Sequence, residues 1–204
     1  MFNIDTYAYP EGLRLLGRWQ SGDLDGKLEL TKVIDAAIAG ELDNCFKLTE
    51  LPDRVHTTAC MQMLGLGVLN DLYGIESWEY YNVDAYRFVR VSLALSKLLG
   101  LEKPYVTWAL YALTCEPLGQ KMMYPDKYPP GSDPDTVLID KNNWHKLKTP
   151  DFTTGIPKMI DEIVRVTEEL TGLPPMLQLS APYSLAADIY GQEPLLGDVV
   201  HDPD

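Results

Sequence analysis

The apolar positions of this chain fall into helical and strand-like stretches that alternate. Over residues 28–39, Leu28, Leu30, Val33, Ile34, Ala37 and Ile38 recur at helical spacing, and Gly40 supplies a stop. Asn82 or Asp84 is placed to cap a long helix that runs to Leu99 and closes at Gly100. Its crowding with Tyr86, Phe88, Val89, Val91, Leu93, Leu95, Leu98 and Leu99 predicts cover on both sides. The clearest amphipathic helix is predicted over residues 156–171. Ile156, Met159, Ile160, Ile163, Thr167 and Leu170 line one face, and Lys158, Asp161, Glu162, Arg165, Glu168 and Glu169 lie mostly opposite. Asp161 and Glu162 fall early, where the helix dipole favours them, and Gly172 ends the pattern.

Strand-like stretches lie between these. Residues 54–61 (RVHTTACM) are rich in β-branched side chains and predict a first strand. Residues 105–113 (YVTWALYAL) are apolar almost throughout, as a buried parallel strand should be. Residues 137–139 predict a short strand, and residues 62–74 a loop with a short helix. The run at residues 176–179 leads into a sharp Ser180-Ala181-Pro182 turn. The chain then leaves as a helix, with Pro182 in the first turn, where its missing N–H costs nothing. Residues 1–50 are expected to form a helical extension, broken at Tyr9-Pro10-Glu11-Gly12 and again between Gly22 and Gly26. Residues 124–135 (YPDKYPPGSDPD) form a loop long enough to suggest function. The order is extension, then β-α-β, an excursion, then α-β-α. It predicts an α/β fold with a parallel sheet or barrel over residues 51–204.

Composition narrows the partners. The chain has 204 residues, 46% of them hydrophobic, enough for one sizeable core. Its formal charge of −13 and pI near 4.6 argue against nucleic acid and against an anionic membrane surface. Cys45, Cys60 and Cys115 are odd in number and widely spaced, so a reducing cytoplasm is expected rather than a disulfide framework. No signal-peptide pattern opens the sequence, and charges interrupt the apolar runs short of a spanning length.

The common catalytic signatures are missing: there is no G-x-G-x-x-G, no P-loop, no G-x-S-x-G and no H-E-x-x-H. His56 and Cys60 are four apart, a spacing that brings two ligands together only on a helix; on a strand His56 reads as pocket lining. Glu116 follows Cys115 at the end of the predicted second strand, where an α/β barrel keeps its chemistry. A carboxylate there can bind a cation or act as an acid or base. Tyr183 and Ser184 directly follow a strand and are placed to touch a ligand, and Asp188 lies a turn or two into the helix. His145, beside Trp144 and among Lys141, Lys146 and Lys148, is expected at the surface, as is His201.

Several short motifs occur in an order that resembles the uroporphyrinogen decarboxylase superfamily. They are Thr114-Cys115-Glu116-Pro117-Leu118-Gly119, Pro129-Pro130, His145-Lys146-Leu147-Lys148-Thr149-Pro150-Asp151 and Ser180-Ala181-Pro182-Tyr183-Ser184-Leu185-Ala186. Ser77-Trp78-Glu79-Tyr80-Tyr81-Asn82 resembles a segment of its corrinoid-dependent methyltransferase branch. The resemblance implies a (β/α)8 TIM-type barrel, here present only in its N-terminal part behind the helical extension. The decarboxylases carry an aspartate where this chain has Leu110 and a tyrosine where it has Asp188, which favours the methyltransferase branch. That branch implies a zinc-activated thiol that accepts a methyl group from a corrinoid protein or a small methyl donor. Zinc would lower the thiol's pKa, but the branch's His and Cys ligands lie in the second half of the barrel. Half a barrel leaves two open sheet edges, so a C-terminal half or another chain is expected to complete it. On this reading Glu116, Tyr183, Ser184, Asp188 and His56 line the substrate mouth. The alternatives are a non-catalytic half-barrel that binds or assembles, and part of a true decarboxylase.

Overall fold

A computed structural model describes residues 3–48, 57–82, 84–102, 115–177 and 182–201, and the described part is mostly helical. In chain order it contains α1 (Glu11–Gln20), α2 (Leu24–Ile38), α3 (Gln62–Tyr73), α4 (Ser77–Tyr81) and α5 (Ala85–Leu98). A two-residue ladder follows, β1 (Met122–Met123) with β2 (Gly131–Ser132), and then α6 (Gly155–Thr171), α7 (Pro182–Tyr190) and α8 (Gln192–His201). No described helix is long and apolar enough to cross a membrane.

Helix α5 is the centre of the core. It begins at Asp84, whose carboxylate accepts the Tyr86 N–H at 2.9 Å, and it packs against α1, α2, α3 and α6. With neighbours on several sides, apolar residues are needed around most of its circumference, and Phe88, Val89, Val91, Ala94, Leu95 and Leu98 are all buried. Two polar positions, Ser92 and Ser96, are also buried, and Ser96 bonds back to the Ser92 carbonyl at 2.8 Å. Opposite α5, Leu30, Val33, Ile34 and Ala37 of α2 are fully buried at i, i+3, i+4 and i+7 spacing. Fully burying one such aliphatic side chain contributes about 1.5–3 kcal/mol. The Arg90 guanidinium fixes the turn after α2 onto α5 by a two-point bond to Asp43, at 2.9 and 2.7 Å.

The first two helices join the same core. Arg18 of α1 reaches Asp23, the N-cap of α2, at 2.6 Å and Glu29 at 2.7 Å. Glycine permits the close approach: a Cβ at Gly12 would lie 2.2 Å from the Leu98 carbonyl oxygen and 2.4 Å from that of Tyr7. Sequence periodicity does not reveal α1, because Pro10 and Gly12 read as a turn and not as a helix start.

Several expectations are corrected. Residues 62–74 are a full helix, α3, ended by Gly74 in the left-handed conformation; Gly65 and Gly67 lie inside it, not in a loop. Gly65 is tolerated because the Tyr80 hydroxyl occupies the space its side chain would take. Residues 57–61 carry no strand, and 54–56 lie outside the described residues. Residues 137–139 are not a strand either: the Leu138 and Ile139 N–H groups both donate to the Ile189 carbonyl, at 2.9 and 3.0 Å. β-Branched or apolar composition makes a strand only where a partner strand supplies the ladder. The segment 105–113 and the end of the 176–179 run lie outside the described residues, so the parallel sheet they were expected to form does too. The only described strand pair is antiparallel, with Met122 opposite Ser132 and Met123 opposite Gly131. Helices α5, α6 and α7 match expectation closely, including Gly172 as the left-handed stop of α6.

The excursion at residues 124–135 is thus a folded hairpin. Lys121 Nζ lies 2.7 Å from Asp133 Oδ2, the Asp133 N–H donates to the Lys121 carbonyl, and the Asp135 N–H donates to Asp133 Oδ1. The Lys121 ammonium, followed by the Asp135 N–H, holds the Asp133 carboxyl below the usual carboxylate range.

Two outcomes are expected. Gly12→Ala should cost about 1–3 kcal/mol by overpacking, read as a drop in Tm of roughly 3–10 °C. Gly17→Ala, with open space around it, should be neutral or gain up to about 1 kcal/mol from helix propensity; equal effects of the two would refute the close approach. A depressed carboxyl pKa stabilises above the unfolded value of about 3.9 and loses that effect as pH falls through the folded one. Hairpin amide shifts in NMR should therefore hold above about pH 4 and move toward loop values in more acid solution. Asp133→Asn should show the loop values already at neutral pH.

Candidate functional site

A cleft of about 470 Å³ opens between the end of α4, the 3-10 turn Glu116–Leu118 and the start of α6. Tyr81 and Asn82 form one wall, Glu116 and Pro117 a second, and Pro150, Asp151, Thr154 to Pro157 and Met159 the third. Buried Cys115 anchors the Glu116 turn, and Gly119 closes it at φ 104°. The Gly119 N–H donates to the Glu116 carbonyl at 2.8 Å, and the Gln120 N–H to the Cys115 carbonyl at 3.1 Å. The backbone of Glu116 is thereby held, and its side chain is left to face the cleft.

Tyr124, just after β1, donates its hydroxyl to Glu116 Oε2 at 2.8 Å. Burial, opposed by Asn82 and reinforced by Glu116, pushes the Tyr124 hydroxyl up to about 12. It therefore stays a donor at any physiological pH. Across the cleft the Asp151 carboxylate accepts both the Thr153 hydroxyl (2.6 Å) and the Thr153 N–H (2.9 Å), which hold it below the usual carboxylate range. Ile156 and Met159 supply apolar surface, and Tyr81, buried edge-on against Tyr80 with ring centroids 4.9 Å apart, makes a rigid back wall. The arrangement can orient a small ligand with a hydrogen-bond donor against Glu116 and an apolar body against Ile156 and Met159.

Of the residues picked from sequence, Glu116 lines this cleft and His56 lies outside the described residues. Asp188 is half-buried on α7, where its Oδ1 accepts the Ser132 hydroxyl at 2.8 Å and ties the helix to the hairpin. Tyr183, 52% exposed, and half-buried Ser184 share α7 but do not line the cleft. Leu110 is outside the described residues. Sequence reasoning did not single out Tyr81, Asn82, Tyr124 or Asp151 as site residues. Three of them stood within quoted motifs and Tyr124 opened the loop flagged for function, but no spacing rule joins positions so far apart.

Zinc, implied by the sequence resemblance, does not fit the residues described: no three of their His, Cys, Asp and Glu side chains gather into a set able to hold a metal ion. Cys45, Cys60 and Cys115 are not joined by disulfides. Burial raises the Cys60 thiol pKa, the opposite of what a metal ligand needs.

Comparison with solved structures finds a similar fold. A methyltransferase from Methanosarcina mazei superposes with a TM-score of 0.56 at 17% identity, covering 83% of this chain and 47% of that one. The fold is similar to that of this methyltransferase, and the chain spans about half the length of that structure. No family model and no curated protein matches it.

The Tyr124–Glu116 bond gives a direct test. A raised tyrosine pKa means a contribution present below pH ~10 and lost as pH rises toward the folded value. Tyrosinate absorbance of the native protein should show one group titrating near 12 that is missing in Tyr124→Phe. A Tyr124→Phe titration identical to the native one would refute the assignment.

Proposed function

We propose that this chain belongs to a corrinoid-dependent methyltransferase and that its cleft holds a small thiol acceptor against Glu116. The observation that carries the reading is the Glu116 carboxylate, fixed by Tyr124 in a 470 Å³ cleft on a methyltransferase-like fold. A cleft of this size suits a small acceptor and not a macrocycle. The methyl donor, a corrinoid protein or a free methylcorrinoid, would present its methyl group at the opening. Glu116 receives the thiol proton; the sulfur then bonds to the methyl carbon as that carbon's bond to the donor breaks, and the electron pair stays with the donor. Any zinc ligands would come from outside the described residues, from a further segment or from another chain. Exposed Tyr183 and half-buried Ser184 on α7 are assigned to the donor side, together with Asp188. Three cysteines without a disulfide suit a reducing cytoplasm.

The experiment mixes the purified chain with methylcobalamin and small neutral thiols, reading thiol binding by NMR and methyl transfer by corrinoid absorbance. Thiols should shift the resonances of Asn82, Glu116 and Thr154. Glu116→Gln should weaken that binding and slow any methyl transfer by about 10²–10⁴-fold. Thiol binding without turnover supports the need for a completing segment. Stoichiometric zinc with full turnover by this chain alone would overturn that need, and absence of thiol binding at the cleft would overturn the acceptor assignment and favour a non-catalytic binding subunit.

A further inference from the structure

A second, smaller pocket of about 230 Å³ lies on the other side of the Glu116–Leu118 turn. Its floor is apolar: Leu118, Leu138, Ile139 and Leu147. Its remaining lining is Asn143, Lys146 and Lys148. The two lysines, like Lys32, Lys47 and Lys127, make no ion pair with a described carboxylate; what sets them apart is that they line one pocket. The net charge is −13, and most described cations sit within 4 Å of a carboxylate: Arg18 with Asp23 and Glu29, Arg90 with Asp43, Lys121 with Asp133, Lys158 with Glu162. Lys146 and Lys148 have no carboxylate partner among the described residues.

The segment that carries them is held firmly. The Asp140 N–H donates to Asn143 Oδ1 at 2.7 Å, and the Asn142 N–H donates to Asp140 Oδ1 at 2.7 Å. The Lys146 N–H donates to the Asn143 carbonyl at 2.9 Å, and upstream Leu138 and Ile139 are bonded to Ile189 of α7. Two ammonium groups without a carboxylate partner among the described residues, beside an apolar lining, form a surface with two matched halves. Each half alone is weak, since exposed charge pairs contribute little and small apolar patches are common.

We propose that this pocket binds an amphipathic anion: a carboxylate or phosphate monoester at Lys146 and Lys148, with a short alkyl body on Leu118, Leu138, Ile139 and Leu147. The site is independent of the methyl-transfer reading, because Glu116 and Pro117 face the other cleft and none of the lining residues is shared.

Calorimetry of the whole chain with hexanoate, hexyl phosphate, hexanol and hexylammonium tests this at low salt. Both anions should bind one to one, hexanol more weakly, and hexylammonium should not bind at this pocket. Going from butanoate to hexanoate should tighten binding about fourfold for each methylene that becomes buried. The double variant Lys146→Gln, Lys148→Gln should lose about tenfold in affinity for the anions and nothing for hexanol. Lys32→Gln, an exposed lysine on α2, should leave binding unchanged. Both substitutions are at exposed side chains, and an unchanged circular dichroism spectrum confirms that the fold is kept. Equal binding of hexanoate and hexanol, or equal losses in Lys32→Gln and in the double variant, would overturn the proposal. Retention of free inorganic phosphate as tightly as hexyl phosphate would overturn the apolar half.

Discussion

The structure depends on covering α5 with neighbours on several sides. A helix whose Phe88, Val89, Val91, Leu95 and Leu98 are all buried has little polar face left for water, so α1, α2, α3 and α6 must all be in place at once. This explains why the first helices are not an appendage in the physical sense: Gly12 meets the end of α5 at backbone contact, and Arg90 holds the turn after α2. It also sets where the candidate cleft can be. The cleft opens where the short α4 leads into α5 and where α6, which packs along α5, begins. Its walls are therefore ends of elements whose middles are fixed in the core, an economical way to hold polar groups still while leaving them open to a ligand.

Strong negative charge runs through the same design. Most ion pairs here are exposed or half-exposed, and each contributes little by itself. Their importance lies in where they are: Arg18 joins α1 to α2, Arg90 joins α2 to α5, and Lys121 closes the hairpin that carries Tyr124 toward Glu116. Cations are scarce, and most of the described ion pairs join two elements. Lys146 and Lys148 make no ion pair with a described carboxylate, and both line the same pocket.

Helices were legible where periodicity and caps agreed. Asp84, Gly172 and Pro182 marked α5, α6 and α7 to within a residue or two, because N-caps, left-handed stops and first-turn prolines act locally. Strand character was less legible. Residues 57–61 and 137–139 have strand-like composition, but a ladder depends on a neighbour far away in sequence, which composition does not encode. The helix at α3 was obscured by Gly65 and Gly67, and only the fold explains Gly65, through the Tyr80 hydroxyl that fills its side-chain space. Glu116 was legible as a carboxylate after an apolar run. Its partner Tyr124 was not, since the bond needs a hairpin whose register no local pattern announces.

The Glu116–Leu118 turn decides how these parts share the surface. In a 3-10 turn the three side chains spread about 120° apart, and here Glu116 and Pro117 line the larger cleft while Leu118 lines the lysine-rimmed pocket. Buried Cys115 on one side and left-handed Gly119 on the other fix the turn at both ends. A side chain at Gly119 would be strained by its φ of 104° and would also approach Leu138 of the second pocket, 3.7 Å away. Both pockets therefore take their shape from one short piece of backbone. A ligand that displaced Leu118 would act on the carbonyl that receives the Gly119 N–H, and so on the residue that presents the Glu116 carboxylate.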